Sequence, residues 1–133
     1  MDIEKCNSLK ADLELKPDQL VSIERFFDGN DDLGSIGCNL IEHPGIERFR
    51  DILVSLTRHP DVQAVYAQIA ELDPGEDSWP FTDTVLVVGS IDAYTLKNLV
   101  APLQPDEVAP SASPVPSLIS SEHDGEVTVL WWD

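Results

Sequence analysis

Basic side chains are scarce in this sequence. Eight lysines and arginines stand against 25 aspartates and glutamates, which gives a formal net charge of −17. Nucleic-acid binding and docking to an anionic membrane surface both depend on cations, so this composition argues against either partner. An acidic surface is sufficient for solubility alone, but it also favours a basic protein partner.

Long apolar runs, a signal-peptide pattern and clustered cysteines are also missing. No segment approaches the roughly eighteen apolar residues that cross a bilayer. The charged start, Met1–Lys5, lacks the basic-then-apolar order of a signal peptide. Cys6 and Cys38 are far apart and show no metal-type spacing. We therefore expect a cytoplasmic protein with both cysteines reduced, a disulfide between them being the alternative.

Motifs of catalysis and cofactor binding are absent as well. The sequence contains no GxGxxG, Walker A or HExxH pattern. After Gly89–Ser90, Asp92 stands where a GxSxG nucleophile elbow needs its second glycine. We therefore expect no cofactor, no catalytic residues and no enzyme activity. The enzyme alternative would use a pocket around Cys38, His43 and Asp83.

Apolar residues are numerous enough for one domain. The chain has 133 residues, of which 42% are hydrophobic, and a chain of this size can bury a real core. We expect residues 1–21 to form an N-terminal tail or edge segment. Residues 22–133 are then a single domain with a Pro/Ser-rich connection at about 103–125.

Local patterns predict the elements of this domain. Ser22 is a typical N-cap for a short helix that ends near Gly29. Apolar spacing then predicts two longer helices and four strands, namely helices 44–58 and 91–101 and strands 35–41, 62–70, 84–89 and 126–132. Residues 61–72 also fit a helix, so that segment keeps two interpretations.

The predicted order of elements is typical of an α+β fold. Strand, helix, strand, strand, helix, strand is the ferredoxin-like split βαβ arrangement, an antiparallel sheet with two helices on one face. Here a short helix precedes it. Right-handed crossovers would place strand 35–41 beside strands 84–89 and 126–132, leaving strand 62–70 at an edge. A helical 61–72 would require a different α+β fold.

The stretch 28–39 resembles a calcium loop at first sight. Its weak candidates for metal ligands are Asp28, Asn30, Asp31 and Asp32. An EF-hand loop needs glycine at its sixth position and glutamate at its twelfth, where this stretch has Leu33 and Asn39. We therefore predict no metal site, and a tight turn in which Asp and Asn side chains accept bonds from nearby amides.

The segment 73–81 combines carboxylates with aromatic side chains. We predict that the partner-binding residues are Asp73, Glu76, Asp77, Trp79 and Phe81. The carboxylates would form a polar rim, and the aromatic rings would anchor a basic partner. The competing interpretation makes Trp79 a core residue.

Several stretches resemble an uncharacterised family of short acidic bacterial proteins. They are SIERFFDGNDDLGSIGCNL at 22–40, HPG at 43–45, PDVQ at 60–63, WPFTDTV at 79–85 and the closing WWD at 131–133. This resemblance implies no known activity and supplies no catalytic residue. In size and acidity the chain is also similar to immunity proteins of bacterial toxin systems, which bind and neutralise a cognate toxin.

Together these observations favour a non-enzymatic protein-binding module with a basic protein partner. An immunity-type inhibitor is the specific form of this hypothesis. The alternative is a small-molecule-sensing or regulatory domain on a ferredoxin-like scaffold. Genes of immunity proteins lie directly after toxin genes, so genomic neighbourhood would separate the two.

Overall fold

A computed structural model describes residues 1–111, 116–123 and 125–133. The helices in these ranges are α1 (Ile3–Glu14), α2 (Ile23–Phe27), α3 (Ile46–Leu56), α4 (Ala93–Val100) and α5 (Ser117–Glu122). The strands are β1 (Leu20–Ser22), β2 (Val62–Glu71), β3 (Phe81–Gly89), β4 (Glu107–Pro110) and β5 (Val127–Trp131). The protein therefore has the predicted α+β class.

The five strands form one antiparallel sheet in the order β1-β2-β3-β5-β4. β3 lies in the middle, with Val87 opposite Val65 of β2 and Thr128 of β5. A continuous apolar run is typical of a strand with both faces covered. The central position predicted for 84–89 is therefore confirmed.

The two faces of the sheet are covered unequally. Helices α1 to α4 pack on one face, where Val65, Val85 and Leu130 join the main core. On the opposite face, Ile119 of α5 packs in a smaller cluster with Tyr66 and Leu86. Because successive residues of a strand point to opposite faces, Val85 and Val87 of β3 enter the main core, whereas Leu86 and Val88 enter the smaller cluster.

Helix α1 was not anticipated in the segment expected to be a tail or edge. Asp2 caps it by accepting a hydrogen bond from the Lys5 amide, 3.1 Å away. Cys6, Leu9 and Leu13 are buried, each 1% exposed. Their spacing of three and four residues is the helical signal, which the intervening charged residues obscure. The segment then ends in an edge strand, β1.

Four predicted elements are confirmed within a few residues at each end. These are α3 for 44–58, β2 for 62–70, α4 for 91–101 and β5 for 126–132. The helical interpretation of 61–72 is wrong. Helix α2 is capped by Ser22 as predicted, with its Oγ accepting from the Arg25 amide at 3.4 Å.

The ferredoxin-like strand order is wrong because 35–41 is not a strand. Only Ile36 pairs with the sheet, in a single parallel bridge to Thr82. Gly37 then adopts a φ of +65°, and the Leu40 amide donates to its carbonyl at 3.0 Å. This turn takes the chain out of the sheet after one residue. As a result β5 pairs directly with β3, and β1 lies outside β2.

The Pro/Ser-rich connection contains structure where it is described. Residues 107–110 form β4 at the sheet edge, and Val108 packs against the main core. Residues 117–122 form α5, where the Ser117 hydroxyl donates to Asp18 at 3.1 Å. The rest of the predicted connection includes 112–115 and 124, which lie outside the described residues.

Both cysteines are free, Cys6 buried and Cys38 exposed. No helix within 1–111, 116–123 and 125–133 combines the length and apolarity needed to span a bilayer.

Candidate functional site

The stretch 28–39 is a turn held by its own side chains. Asn30 is buried, and its Nδ2 donates to the Ser35 Oγ at 3.0 Å while its Oδ1 accepts from the Asp32 amide at 2.9 Å. Asp32 in turn accepts from the Gly34 amide at 2.8 Å. The predicted turn is confirmed, since Asp and Asn side chains here bond nearby amides.

The four metal-ligand candidates do not converge on one point. Asn30 and Asp32 accept backbone amides, Asp28 pairs with Lys5 Nζ at 2.7 Å, and Asp31 lies 3.0 Å from the Met1 amino nitrogen. Across the part of the chain that the structure describes, no group of three potential ligands is placed to hold a metal ion. These carboxylates stabilise the turn and the N-terminal helix instead.

Helix α1 holds the acidic segment 73–81 in place through hydrogen bonds. Lys10 Nζ donates to Asp73 Oδ1 at 2.8 Å and to the Gly75 carbonyl at 3.0 Å. The Cys6 thiol donates to the Ser78 carbonyl at 3.5 Å. Lys10 is only 12% exposed along its side chain. Asp73 therefore has a structural role, although its own carboxylate remains largely exposed.

The turn and the acidic segment meet in space. The Trp79 amide donates to Asp32 Oδ2 at 3.0 Å, and the Thr82 amide donates to the Ser35 carbonyl at 2.9 Å. Between them lies a small cleft of about 260 Å³, which we call the acidic crevice. Its lining residues are Asp32, Gly34, Cys38, Glu71, Pro74, Ser78, Trp79 and Phe81.

Negative charge remains uncompensated around the acidic crevice. Glu71, Glu76 and Asp77 are exposed, and none of the ion pairs among the described residues involves them. Apolar surface is present at the crevice, because the lining residue Phe81 is half-buried and Leu33, between the lining residues Asp32 and Gly34, is 56% exposed. Carboxylates beside accessible apolar surface are the combination expected at the rim of a protein interface.

Trp79 lies in the core and does not offer its ring to a partner. It is 1% exposed and belongs to the main hydrophobic cluster. The exposed-anchor assignment of Trp79 is therefore corrected in favour of the competing interpretation. Its indole Nε1 is buried, and no acceptor is found for it among the described residues. An unsatisfied buried N–H of this kind costs about 1–3 kcal/mol.

The two cysteines flank the crevice at different depths. Cys38 is exposed and lines the crevice, whereas Cys6 is buried behind it. Burial raises the pKa of the Cys6 thiol, and the carboxylates of Asp32 and Asp73 raise it further, while Lys10 opposes them. A raised pKa keeps the Cys6 sulfur protonated and unreactive.

The alternative catalytic pocket does not assemble. Cys38 lines the acidic crevice without His43 or Asp83. His43 Nε2 lies 2.8 Å from the Ile36 carbonyl, and its Nδ1 accepts from the Gly45 amide at 2.9 Å. With both ring nitrogens bonded to backbone groups, His43 fixes the entry to α3.

Sequence reasoning missed half of the crevice. It assigned Asp73, Glu76, Asp77 and Phe81 to a surface, but it treated the turn at 28–39 separately and overlooked Glu71. No local signal joins Asp32 to Trp79, which are 47 residues apart. The exposed Leu33 was the one available signal. It is an apolar side chain in an acidic turn, and neither helical nor strand periodicity accounts for an apolar residue there.

Comparisons with known proteins support an uncharacterised family. The model of the "Uncharacterized protein YfbO family" matches residues 4–126. The uncharacterized protein YfbO of Escherichia coli (strain K12) is 28% identical over 92 residues, which are 68% of this chain and 64% of that relative. The match thus spans slightly less than two thirds of the relative's length. No solved structure matches the chain significantly.

Proposed function

This chain belongs to the uncharacterized YfbO family, whose name states no activity, and we propose that it is a non-enzymatic module that binds a basic protein partner at the acidic crevice. The observation that carries the proposal is the convergence of two acidic stretches on one cleft. Asp32 from one stretch and Glu71 from the other line the cleft together with the half-buried Phe81, and the exposed Glu76 and Asp77 lie between the lining residues Pro74 and Ser78.

Electrostatic attraction favours such a partner both before contact and at contact. The net charge of −17 attracts a basic protein over a long distance and accelerates its encounter. At contact, Glu76 and Asp77 bind cations of the partner without first breaking an internal ion pair. Phe81 and Leu33 then supply the apolar contact that slows dissociation. Trp79 contributes indirectly, by holding the segment in place.

An immunity-type inhibitor is the specific form that we propose. The chain resembles such proteins in size and acidity, and a basic toxin surface would complement its charge. Such an inhibitor acts in the cytoplasm and needs neither nucleic acid nor a membrane. The test is to co-produce the chain with the product of the gene directly upstream. Relief of growth arrest supports this form, and continued arrest despite soluble inhibitor contradicts it.

Charge reversal at the crevice tests the broader proposal. Glu76→Lys with Asp77→Lys removes the uncompensated charge, while Asp61→Lys with Glu126→Lys makes the same net change at the opposite ends of the strands. Immobilised wild-type and variant chains are exposed at low salt to an extract of the encoding organism. The retained protein is then purified, and its binding rates are measured.

A partner at the crevice gives a specific pattern of rates. Because rim charges act mainly on encounter, the crevice variant should bind about tenfold more slowly and dissociate nearly as before. Phe81→Ala should instead speed dissociation, as loss of an apolar anchor does. Equal losses in both charge-reversal variants would show that only total charge matters, and would overturn the crevice as the site.

A further inference from the structure

An open groove of about 850 Å³ lies between α2 and α3, far larger than the acidic crevice. Its lining residues are Ser22, Glu24, Arg25, Phe27, Asp28, Gly29, Arg50, Asp51, Val54, Ser55 and Arg58. This volume is within the range of about 300–1,000 Å³ that is usual for small-molecule sites. We call it the arginine groove.

Arginine is concentrated in this groove. The chain has four arginines, and Arg25, Arg50 and Arg58 all line it. Three carboxylates, Glu24, Asp28 and Asp51, line the groove beside them, so the positive charge offered to a ligand depends on which arginines are already paired. The fourth arginine, Arg48, is exposed on α3 outside the groove.

Helical spacing produces the cluster. Arg50 and Val54 are four residues apart on α3, and Arg58 follows after the same interval, just beyond the end of the helix. Residues four apart lie on one helical face, so these three point toward the same side. The sequence places Arg50 and Arg58 within the predicted helix 44–58, but it does not show that α2 lies opposite them.

Only some of the charged side chains that line the groove form ion pairs within the protein. Arg25 Nη2 pairs with Asp12, Asp28 pairs with Lys5 Nζ at 2.7 Å, and Arg50 Nε lies 3.5 Å from its neighbour Asp51. Within the described residues, no carboxylate pairs with Arg58. Glu24 is likewise without an ion pair there, and its charge will discriminate against ligands with negative charge on that side.

We propose that the arginine groove binds a small organic anion through a carboxylate or phosphoryl group held by Arg50 and Arg58. Guanidinium groups form paired, charge-assisted hydrogen bonds with both kinds of group. Ser22 adds a hydroxyl group at the wall and Val54 adds apolar surface, whereas the Ser55 hydroxyl donates to the Ile52 carbonyl at 2.8 Å. The net negative charge of the molecule repels anions. Only a ligand that contacts these guanidinium groups directly therefore gains enough binding free energy to remain bound.

Titration with two simple probes tests this site without a known ligand. Sodium pyrophosphate represents the phosphoryl group and citrate represents carboxylates, each added at constant ionic strength to the ¹⁵N-labelled chain. We expect saturable shifts of backbone amides in 22–29 and 50–58. Saturation by pyrophosphate alone assigns a phosphoryl ligand, and saturation by citrate alone assigns a carboxylate ligand.

Matched arginine variants decide whether the groove is responsible for binding the probe. Arg58→Gln should weaken binding about tenfold or more, because it removes a charge-assisted bond. Arg50→Gln with Arg58→Gln should abolish binding. Arg48→Gln makes the same charge change on α3 outside the groove and should leave the affinity unchanged. Shifts that fail to saturate with either probe, or equal weakening by Arg48→Gln and Arg58→Gln, would overturn the proposal.

Discussion

The acidic crevice and the arginine groove differ in what lies beneath them. The crevice is built on the core, because Trp79 is buried and the turn at 28–39 bonds to it through Asp32. The groove carries its charge on long side chains, and Arg58 is exposed beyond the end of α3. Replacement of the buried Trp79 therefore lowers stability, whereas replacement of the exposed Arg58 changes charge with little effect on folding.

The largest expected effect is the loss of stability when Trp79 is truncated. Its absence would contradict the difference between the crevice and the groove. Trp79→Ala should lower the free energy of unfolding by about 3–5 kcal/mol, because it removes a large core side chain. Arg58→Ala should change it by less than about 0.5 kcal/mol. Urea denaturation of the isolated chain, followed by circular dichroism, measures both. A small loss for Trp79→Ala would contradict the assignment of Trp79 to the core.

Two tryptophans sharpen the account of the crevice. Trp132 is buried like Trp79, but its Nε1 donates to the Leu103 carbonyl at 2.8 Å. Replacement by Phe removes a similar volume at both positions, yet only Trp132→Phe leaves a buried carbonyl without its donor. We expect Trp132→Phe to cost about 1–3 kcal/mol more than Trp79→Phe in urea denaturation. Equal costs would indicate that the Trp79 Nε1 has an acceptor such as a buried water.

A smaller effect of pH on stability should originate behind the crevice. The folded protein raises the pKa of the Cys6 thiol, chiefly by burial. A group whose pKa is raised by folding binds its proton more tightly in the folded state. Its contribution is therefore complete below the pKa of the unfolded thiol and is lost as pH rises through the folded value.

Stability should accordingly decrease as the pH rises above about 8.5, the pKa of a thiol in the unfolded chain. Cys6→Ala should reduce this decrease, and Cys38→Ala, at the exposed cysteine, serves as the matched control. The free energy of unfolding at each pH measures the slope. The same slope in wild type and Cys6→Ala would contradict the assignment. Tyr66 also has a pKa raised by burial and by Glu122, so it adds a further decrease above about pH 10.

The smallest expected effect is that of calcium. Asp28, Asp31 and Asp32 each already have a donor or cation partner, and the turn lacks a bidentate glutamate. Calcium at about millimolar concentration should leave the melting temperature unchanged at constant ionic strength. A rise of several degrees that Asp28→Asn with Asp32→Asn abolishes would show that the turn rearranges into a metal site.

Strong local patterns made most of the elements predictable. Ile46, Phe49 and Leu53 recur at helical spacing, and α3 forms there. The apolar run at 84–88 likewise gave the central strand. Prediction failed at 35–41, where Gly37 turns the chain out of the sheet, and at α1, where the charged Lys10 and Asp12 separate Leu9 from Leu13. Both failures depend on which neighbour buries a side chain, and local spacing does not contain that information.

The sequence by itself determined the α+β class, the acidity and the residues that supply each charge, because these depend on composition and on periods of two to about four residues. Only the tertiary structure decided that Asp32 meets Trp79 across 47 residues and that Arg50 and Arg58 face α2. Strand pairing and helix packing are long-range contacts, selected by the free energy of burying whole faces at once. Both candidate sites result from that packing.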